Sequence, residues 1–180
     1  MPIQHFVAMV GREHGMEQFV RDARIAQIYE GTNGIQALDL VGRKMSAHAG
    51  RYLRRFFHPV AAYIEAKQDS PAFAEFIDPL SKAFTRLQQA TAALAAKGIV
   101  DPFEAGAAAT DYLRLFALVA LVGLAQLWAE IALDKPDDFY RAKLATARFF
   151  MAKILPQSSS LFSTIMAGGA SLRQFEDALF

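Results

Sequence analysis

Glu30 is the carboxylate whose neighbours in the sequence best suit it to chemistry. It follows the apolar pair Ile28-Tyr29 and precedes a turn predicted at Gly31-Thr32-Asn33-Gly34. A glutamate held among apolar groups has its charged form disfavoured, so its pKa rises and it becomes a useful general base near neutral pH. The alternative is that Glu30 caps the next helix or lies in solvent. Spacing alone favours this structural alternative, because most buried acids are structural.

Other residue types narrow the chemistry that is open to the chain. There is no cysteine, which excludes disulfides, thiolate metal sites and a cysteine nucleophile. The histidines form no i, i+4 pair and no phosphate-loop pattern is present, so we predict neither a metal site nor a phosphate loop. Arg21 and Asp22 are expected to form structural ion pairs that fix the segment before Glu30.

Basic side chains recur between residues 43 and 55. Arg43-Lys44 could meet the phosphates of a nucleotide. Arg51, Arg54 and Arg55 line one side of a predicted helix, where they could form an anion-binding patch or a subunit contact. For both groups, a solvated helix face is the favoured interpretation.

Composition and charge exclude several classes of protein. The chain has 180 residues, of which 53% are hydrophobic and 21% charged, and its formal net charge is +1. This composition is unlike that of disordered chains, and the charge balance argues against a nucleic-acid binder. The most apolar stretch, Leu115–Ala129, is shorter than the about 20 residues of a membrane span, so we expect a buried helix instead. No targeting signal is visible, which favours a cytoplasmic location.

Apolar residues recur at helical spacing through nearly the whole chain, and no sustained strand-like alternation is present. We therefore predict an all-α fold, an up-and-down helical bundle. The predicted long helices are Ile35–Lys67 with a kink at Pro59, Pro71–Lys97 closed by Gly98, Pro102–Leu133 and Asp137–Leu155. Shorter helices are predicted at Met16–Ala23, Ser159–Met166 and Leu172–Leu179.

Two details of these helices are also predicted. Asp101-Pro102 with Glu104 has the pattern of a capping box at the start of a helix. The same helix is apolar almost all round from Tyr112 to Leu133, so it is expected to be the most buried member of the bundle.

The segment IYEGTNGIQ, residues 28–36, is preceded by RDARI and resembles the catalytic segment of the flavin-dependent acyl-CoA dehydrogenases. The resemblance reverses the preference stated above for Glu30. It implies that Glu30 removes the α-proton of an acyl-CoA thioester while the β-hydride passes to FAD, and that its backbone N–H helps to bind the thioester oxygen. It further implies substrate contacts for Tyr29 and Gly31. Thr32, Asn33 and Gly34 are implied to lie near FAD.

A second resemblance covers most of the remaining chain. RYLRRFFHPV, GAAATDYLRLFALVAL and FYRAKLATARFFMAKILP resemble the extra C-terminal helical domain of a mostly bacterial subgroup that includes the methylmercaptopropionyl-CoA dehydrogenases. The implied domains are residues 1–50, which end the dehydrogenase C-terminal helical domain and contain the catalytic base, and residues 51–180, an extra helical bundle.

The family's N-terminal and middle domains have no counterpart in the sequence. The chain is therefore interpreted as the C-terminal part of such an enzyme, which on its own binds FAD poorly and turns over no acyl-CoA. An apolar helix face without its neighbouring domain promotes association, so we also expect a homo-oligomer. Two alternatives stay open. One is a non-catalytic helical assembly module, and the other is a relative of the DNA-repair flavoproteins, which the near-neutral charge disfavours.

Overall fold

The computed structural model describes Gly15 and residues 17–25, 32–133, 135 and 137–174, with the backbone alone at 124–129. Within these ranges the chain forms helices and turns and no strand, so the predicted all-α class is confirmed. The α-helices are α1 (Glu17–Ile25), α2 (Thr32–Asp39), α3 (Ala47–Lys67), α4 (Ala74–Val100), α5 (Pro102–Ala132), α6 (Asp138–Phe149) and α7 (Gln157–Ala167). A π-helical turn follows α2 (Leu40–Lys44) and another follows α6 (Phe150–Ile154), and a 3₁₀ turn spans Ala170–Gln174.

The chain divides by packing into two compact units, residues 1–36 and 37–180. In the described part of the first unit, α1 has no buried residue. The second unit contains the helical bundle. The domain division at residue 50, which the family resemblance implies, stays a prediction.

Helices α4 and α5 form an antiparallel hairpin with Asp101 as its link. Close to the link, a Cβ on Gly98 would lie 3.1 Å from the Cβ of Ala105. Farther from it, the hydroxyl oxygens of Thr91 and Tyr112 are 2.7 Å apart. Contacting residue numbers fall on one helix as they rise on the other, so the two helices run in opposite directions.

Helix α3 packs beside this hairpin. Phe56 of α3 stacks on Phe116 of α5 with 4.6 Å between the ring centroids. Toward the other end, the Lys67 ammonium lies 2.9 Å from the Glu130 carboxylate. Residue numbers rise together on both helices, so α3 is parallel to α5 and antiparallel to α4.

Helix α7 returns along α5 in the opposite direction. The Thr164 hydroxyl donates to the Asp111 carboxylate at 2.6 Å, and the Gly169 N–H donates to Glu104 at 3.0 Å. The direction therefore alternates from α3 to α4 to α5 and reverses again in α7, which confirms the predicted up-and-down bundle.

The core of the bundle comes mainly from one stripe on each helix of the hairpin. Buried apolar residues recur at helical spacing on α4, and a second set on α5 faces them. The largest fully buried side chains include Phe76, Ile77, Leu80, Leu87, Tyr112, Leu115, Val119 and Val122.

The predicted continuous helix Ile35–Lys67 is wrong, and so is its kink at Pro59. The backbone of His48, Ala49 and Gly50 is left-handed, with φ of 51°, 54° and 74°, whereas Pro59 lies in regular helix. Consecutive left-handed residues redirect a right-handed helix more strongly than one lost hydrogen bond does. The Arg54 guanidinium donates to the Ala49 carbonyl at 2.5 Å, which satisfies a backbone group at this bend.

Gly98 does not end its helix as predicted, because α4 continues to Val100. The missing side chain of Gly98 instead allows the close approach to α5. The predicted cap at Asp101 is present, since its carboxylate accepts the Phe103 N–H at 3.0 Å. Glu104 does not complete a capping box with Asp101, because it accepts the Gly169 N–H and the Asp101 N–H donates to Lys97.

The fourth member of the bundle has an interruption that the sequence did not reveal. The predicted helix Asp137–Leu155 is α-helical only as far as Phe149. A π-helical turn, Phe150–Ile154, follows it. Helix α7 then begins two residues earlier than predicted, at Gln157. The predicted tail helix Leu172–Leu179 begins in the 3₁₀ turn, and its residues 175–179 lie outside the described residues.

Helix α5 exposes part of its apolar surface, and because the side chains at 124–129 lie outside the described residues, its rank as the most buried member of the bundle stays a prediction. Its stretch Pro102–Gly123 is, among the described residues, long and apolar enough to cross a membrane by length and composition, and 33% of that window is buried. In the bundle it packs against α4, α6 and α7. On its outward side, Leu121 is 47% exposed and Ile131 is 44% exposed. Its apolar composition is therefore only partly accounted for by burial.

Candidate functional site

Three of the predicted site residues, Tyr29, Glu30 and Gly31, lie outside the described residues. Their roles as substrate contact, catalytic base and backbone contact stay predictions. The helix that leads toward them, α1, is described. Its polar side chains bind within the helix: the Arg21 guanidinium pairs with Glu17 and the Gln18 amide donates to Asp22 at 2.7 Å. Arg21 thus forms a structural ion pair, as predicted, whereas the contact that Asp22 makes with Gln18 is a hydrogen bond to a neutral amide.

Thr32, Asn33 and Gly34 form the first turn of α2, and the prediction that helix begins only at Ile35 is wrong. Their side chains are exposed, and a Cβ on Gly34 would meet no atom within 4 Å. The first N–H groups of a helix lack partners within the helix, and its N-terminal end is partly positive. This turn is therefore suited to an anionic group, with Gly34 leaving room for its approach.

Asp39, the last residue of α2, binds two cationic side chains. The Arg43 Nε and Nη2 atoms lie 2.5 and 2.9 Å from the two carboxylate oxygens of Asp39, and the Lys44 Nζ atom lies 3.2 Å from one of them. The hydrogen bonds from Arg43, with a further contribution from Lys44, lower the pKa of Asp39 to about 2. No prediction from the sequence included Asp39, although the i, i+4 spacing of Asp39 and Arg43 is a signal for such a pair.

These cations border a cleft of about 500 Å³ at the bend between α2 and α3. The His48 and Tyr52 rings meet edge to face there, with centroids 5.3 Å apart. The apolar floor is formed by Leu40, Met45, Leu53 and Phe116. The cleft thus combines cationic groups, ring edges and an apolar surface.

A second cleft, of about 360 Å³, lies between α3 and α5. The Tyr63 hydroxyl at this cleft is buried and makes no hydrogen bond within the described part of the chain. Burial raises the pKa of Tyr63, and the nearby Glu130 charge raises it further. Glu130 is itself paired with Lys67. No feature of the sequence had indicated this tyrosine.

Metal ligation has no support in the ranges that the structure covers. They contain no group of three or more histidine, aspartate and glutamate side chains that could hold an ion. The absence of a metal site stays a prediction.

Comparison with known proteins identifies the family. The family described as "Acetyl-CoA dehydrogenase C-terminal like" matches residues 56–176. The 3-methylmercaptopropionyl-CoA dehydrogenase of Ruegeria pomeroyi is 39% identical over 166 residues, which are 89% of this chain and 28% of that protein. A butyryl-CoA dehydrogenase of Syntrophomonas wolfei is 29% identical over 86% of the chain and 26% of its own length. The broad-specificity linear acyl-CoA dehydrogenase FadE5 of Mycobacterium tuberculosis is 26% identical over 94% of the chain and 30% of its own length.

The chain thus spans less than a third of each of these relatives. The family match covers α4 to α7 in full and the larger part of α3, which are the helices of the bundle. The chain belongs to the acetyl-CoA dehydrogenase C-terminal-like family and is a relative of the acyl-CoA dehydrogenases.

Proposed function

We propose that this chain is the C-terminal part of a flavin-dependent acyl-CoA dehydrogenase, which forms the α,β double bond of an acyl-CoA thioester. The observation that carries the proposal is the agreement of the relatives. Each of the three is named as an acyl-CoA dehydrogenase, and each matches between 86% and 94% of this chain. The segment IYEGTNGIQ supplies the proposed reacting residues.

In the proposed reaction, the Glu30 carboxylate accepts the α-proton as the Cα–H bond breaks. The electron pair of that bond forms the Cα=Cβ double bond, and the hydrogen on Cβ departs with its electron pair. The Glu30 backbone N–H binds the thioester oxygen and stabilises the negative charge that develops there. Tyr29 flanks the acyl chain, and Gly31 lets the thioester approach the backbone because it has no side chain.

The described residues fit the cofactor that this reaction requires. The first turn of α2 is exposed, has an open position at Gly34 and presents helix N–H groups, as a dinucleotide phosphate requires. Thr32, Asn33 and Gly34 would hold FAD there, with the Thr32 hydroxyl as the polar contact. When bound, FAD supplies the two-electron acceptor for the β-hydride.

The isolated chain is proposed to be inactive. It spans 26–30% of the relatives' lengths, and the N-terminal and middle domains of the family would supply the other walls of the flavin site. Co-expression with those domains is expected to restore FAD retention and acyl-CoA-dependent dye reduction. A flavin absorption band that corresponds to nearly one FAD per purified chain would contradict this part of the proposal.

The role of Glu30 is tested in the full-length enzyme. Glu30→Gln keeps the size of the side chain and removes the base, so dye reduction is expected to fall by about 10²- to 10⁴-fold while FAD stays bound. Glu65→Gln is the matched control, because Glu65 is an exposed carboxylate on α3 and is expected to change nothing. Turnover retained in Glu30→Gln would reject Glu30 as the base.

A second candidate, a helical assembly module, is supported by the exposed apolar residues of the bundle. Leu121 and Ile131 lie on the outward side of α5, and Ile99 and Val100 at the hairpin end are 87% and 86% exposed. Exposed apolar surface of this kind favours self-association. Light scattering of the purified chain is expected to show a homo-oligomer that Leu121→Glu dissociates, and a monomer at all concentrations would contradict it.

A further inference from the structure

We propose that the cleft at the bend between α2 and α3 binds an organic phosphate with a planar ring, of the nucleoside diphosphate class. We call it the basic cleft. Its lining includes Leu40, Arg43, Lys44, His48, Tyr52 and Phe116. All of them belong to the compact unit 37–180. The site involves neither Glu30 nor the first turn of α2, so the inference is independent of the proposed dehydrogenase reaction.

The backbone creates the concavity. The helix that starts at Thr32 first widens into a π-helical turn at Leu40–Lys44 and then passes through left-handed backbone at residues 48–50. π-Helical turns are frequent at functional sites. Left-handed backbone at His48 and Ala49 carries a conformational cost that the surrounding structure must offset. The resulting cleft of about 500 Å³ lies within the range of small-molecule sites.

The charge of this region differs from that of the whole chain. Residues 39–65 contain five arginine and lysine side chains against two carboxylates, Asp39 and Glu65, although the chain as a whole carries only +1. The remainder of the chain is therefore net acidic. A local cationic surplus next to a concave surface attracts anions and raises their local concentration.

Asp39 orients the two cations and leaves most of their donors unused. It accepts two of the five N–H donors of Arg43 and one of the three donors of Lys44. The side chains of Arg43 and Lys44 remain 75% and 51% exposed. The carboxylate thus holds both cationic heads at the rim, where the free N–H groups can donate to phosphate oxygens.

The other side of the cleft suits a planar ring. The His48 and Tyr52 rings stand edge to face, and Phe116 contributes a ring that already stacks on Phe56. The Arg51 guanidinium lies 5.9 Å from the Tyr52 ring centroid, which adds positive charge beside this aromatic surface. A nucleobase stacks on aromatic side chains whatever its identity, because every base has a π-face. A ligand that places its phosphate beside the cations at the rim and its planar ring against the aromatic side chains would therefore use both parts of the cleft.

The test is isothermal titration calorimetry of the 180-residue chain with adenosine diphosphate, adenosine and inorganic pyrophosphate. Adenosine diphosphate is expected to bind more tightly than either fragment, because it alone engages both halves of the cleft. Added salt is expected to weaken binding of adenosine diphosphate and of pyrophosphate, which are charged, and to leave binding of adenosine unchanged.

Two variants separate the halves of the site. Lys44→Gln removes a charge-assisted hydrogen bond and is expected to weaken adenosine diphosphate binding by about tenfold or more. His48→Asn keeps a residue type that tolerates left-handed backbone and removes the ring, so it is expected to weaken binding of adenosine and adenosine diphosphate but not of pyrophosphate. Lys153→Gln, an exposed cation on the second π-helical turn, is the control and is expected to have no effect.

Either of two results would overturn the proposal. One is adenosine diphosphate binding no more tightly than pyrophosphate, which would leave a general attraction for anions and no ring site. Another is an equal loss in Lys44→Gln and Lys153→Gln. Circular dichroism of each variant shows that the helical fold is kept, so a loss of binding cannot be assigned to unfolding.

Discussion

The α4–α5 hairpin and the bend from Asp39 to Tyr52 differ in whether their polar groups are buried and hydrogen-bonded or exposed to solvent. In the hairpin, Tyr112 is fully buried and its hydroxyl has a partner in Thr91. At the bend, Arg43 and Lys44 share one carboxylate and keep most of their surface in solvent. The buried hydroxyl of the hairpin has a hydrogen-bond partner within the protein, whereas the cations of the bend keep N–H donors that Asp39 does not use.

The difference shows where stability and binding reside in this bundle. Burial of apolar surface supplies the folding free energy of the hairpin, and its few polar groups must be paired because an unpaired buried group is costly. The bend contributes little burial, and its cations are free to meet a ligand. Substitutions in the hairpin are therefore expected to change stability, whereas substitutions at the bend are expected to change binding and pH dependence.

The largest effect is expected from Leu115→Ala. Leu115 is fully buried between the hairpin helices, so removing it loses transfer free energy and leaves a cavity, at a cost of about 2–5 kcal/mol. Leu172→Ala in the 3₁₀ turn is the control, since Leu172 is 54% exposed and its loss is expected to stay within about 0.5 kcal/mol. Urea denaturation of both variants measures the difference, and equal midpoints would contradict the assignment of the core.

The next largest effect is expected from Gly168→Ala, where the chain leaves α7. Gly168 has φ of 74° and ψ of −170°, and a Cβ there would lie 2.5 Å from a Glu104 carboxylate oxygen. Backbone strain and displacement of Glu104 are expected to cost about 1–3 kcal/mol. Gly123→Ala is the opposite case, because its Cβ would meet no atom within 4 Å and helix propensity is expected to gain about 0.5–1 kcal/mol. Thermal unfolding midpoints that shift in the same direction would contradict this contrast.

A smaller effect is expected from Tyr112→Phe. Burial raises the pKa of Tyr112 to about 12, partly offset by the hydrogen bond with Thr91. Removing the hydroxyl is expected to cost about 1 kcal/mol, because Thr91 keeps its bond to the Leu87 carbonyl at 2.7 Å. Tyr52→Phe, at the exposed bend, is expected to leave the free energy of unfolding unchanged. Urea denaturation measures the free energy of unfolding of both variants. A larger decrease in Tyr52→Phe than in Tyr112→Phe would contradict the contrast between the hairpin and the bend.

The smallest effect is expected at Asp39. Its pKa is lowered from 3.8 to about 2 in the folded chain, chiefly by Arg43, so its contribution to stability is complete above about pH 4 and is lost as the pH falls toward 2. Asp39→Asn removes that dependence. Urea midpoints of the two proteins are expected to differ slightly at neutral pH and to converge in acid. A gap that widens on acidification would show that the ion pair does not stabilise the fold.

The sequence predicted the helices of the bundle because their apolar residues recur at helical spacing, as in Phe76, Leu80, Leu87 and Leu94. It predicted the cap at Asp101 because the capping residue and Pro102 act locally. It placed the end of α4 wrongly at Gly98, since a glycine at a helix end and a glycine at a close helix contact look alike in sequence. Only the position of Ala105 distinguishes them.

The candidate site divides in the same way. The motif around Glu30 depends on residue order alone, so it was found in the sequence, and its geometry stays a prediction. The pairing of Asp39 with Arg43 was within reach of the helical spacing rule. The left-handed backbone of His48 and Ala49 was not, because neither residue type demands such a conformation.

The order of the residues by itself determined that this protein is helical, that it has an apolar core and that it is related to the acyl-CoA dehydrogenases. These properties rest on interactions between residues close in the chain or on a motif. Tertiary structure decided where the long helix bends, which glycines carry close contacts and how cations and rings share one cleft. The close contact of Gly98 with Ala105 and the place of Phe116 in the cleft join different helices, whose distances are set only when those helices pack.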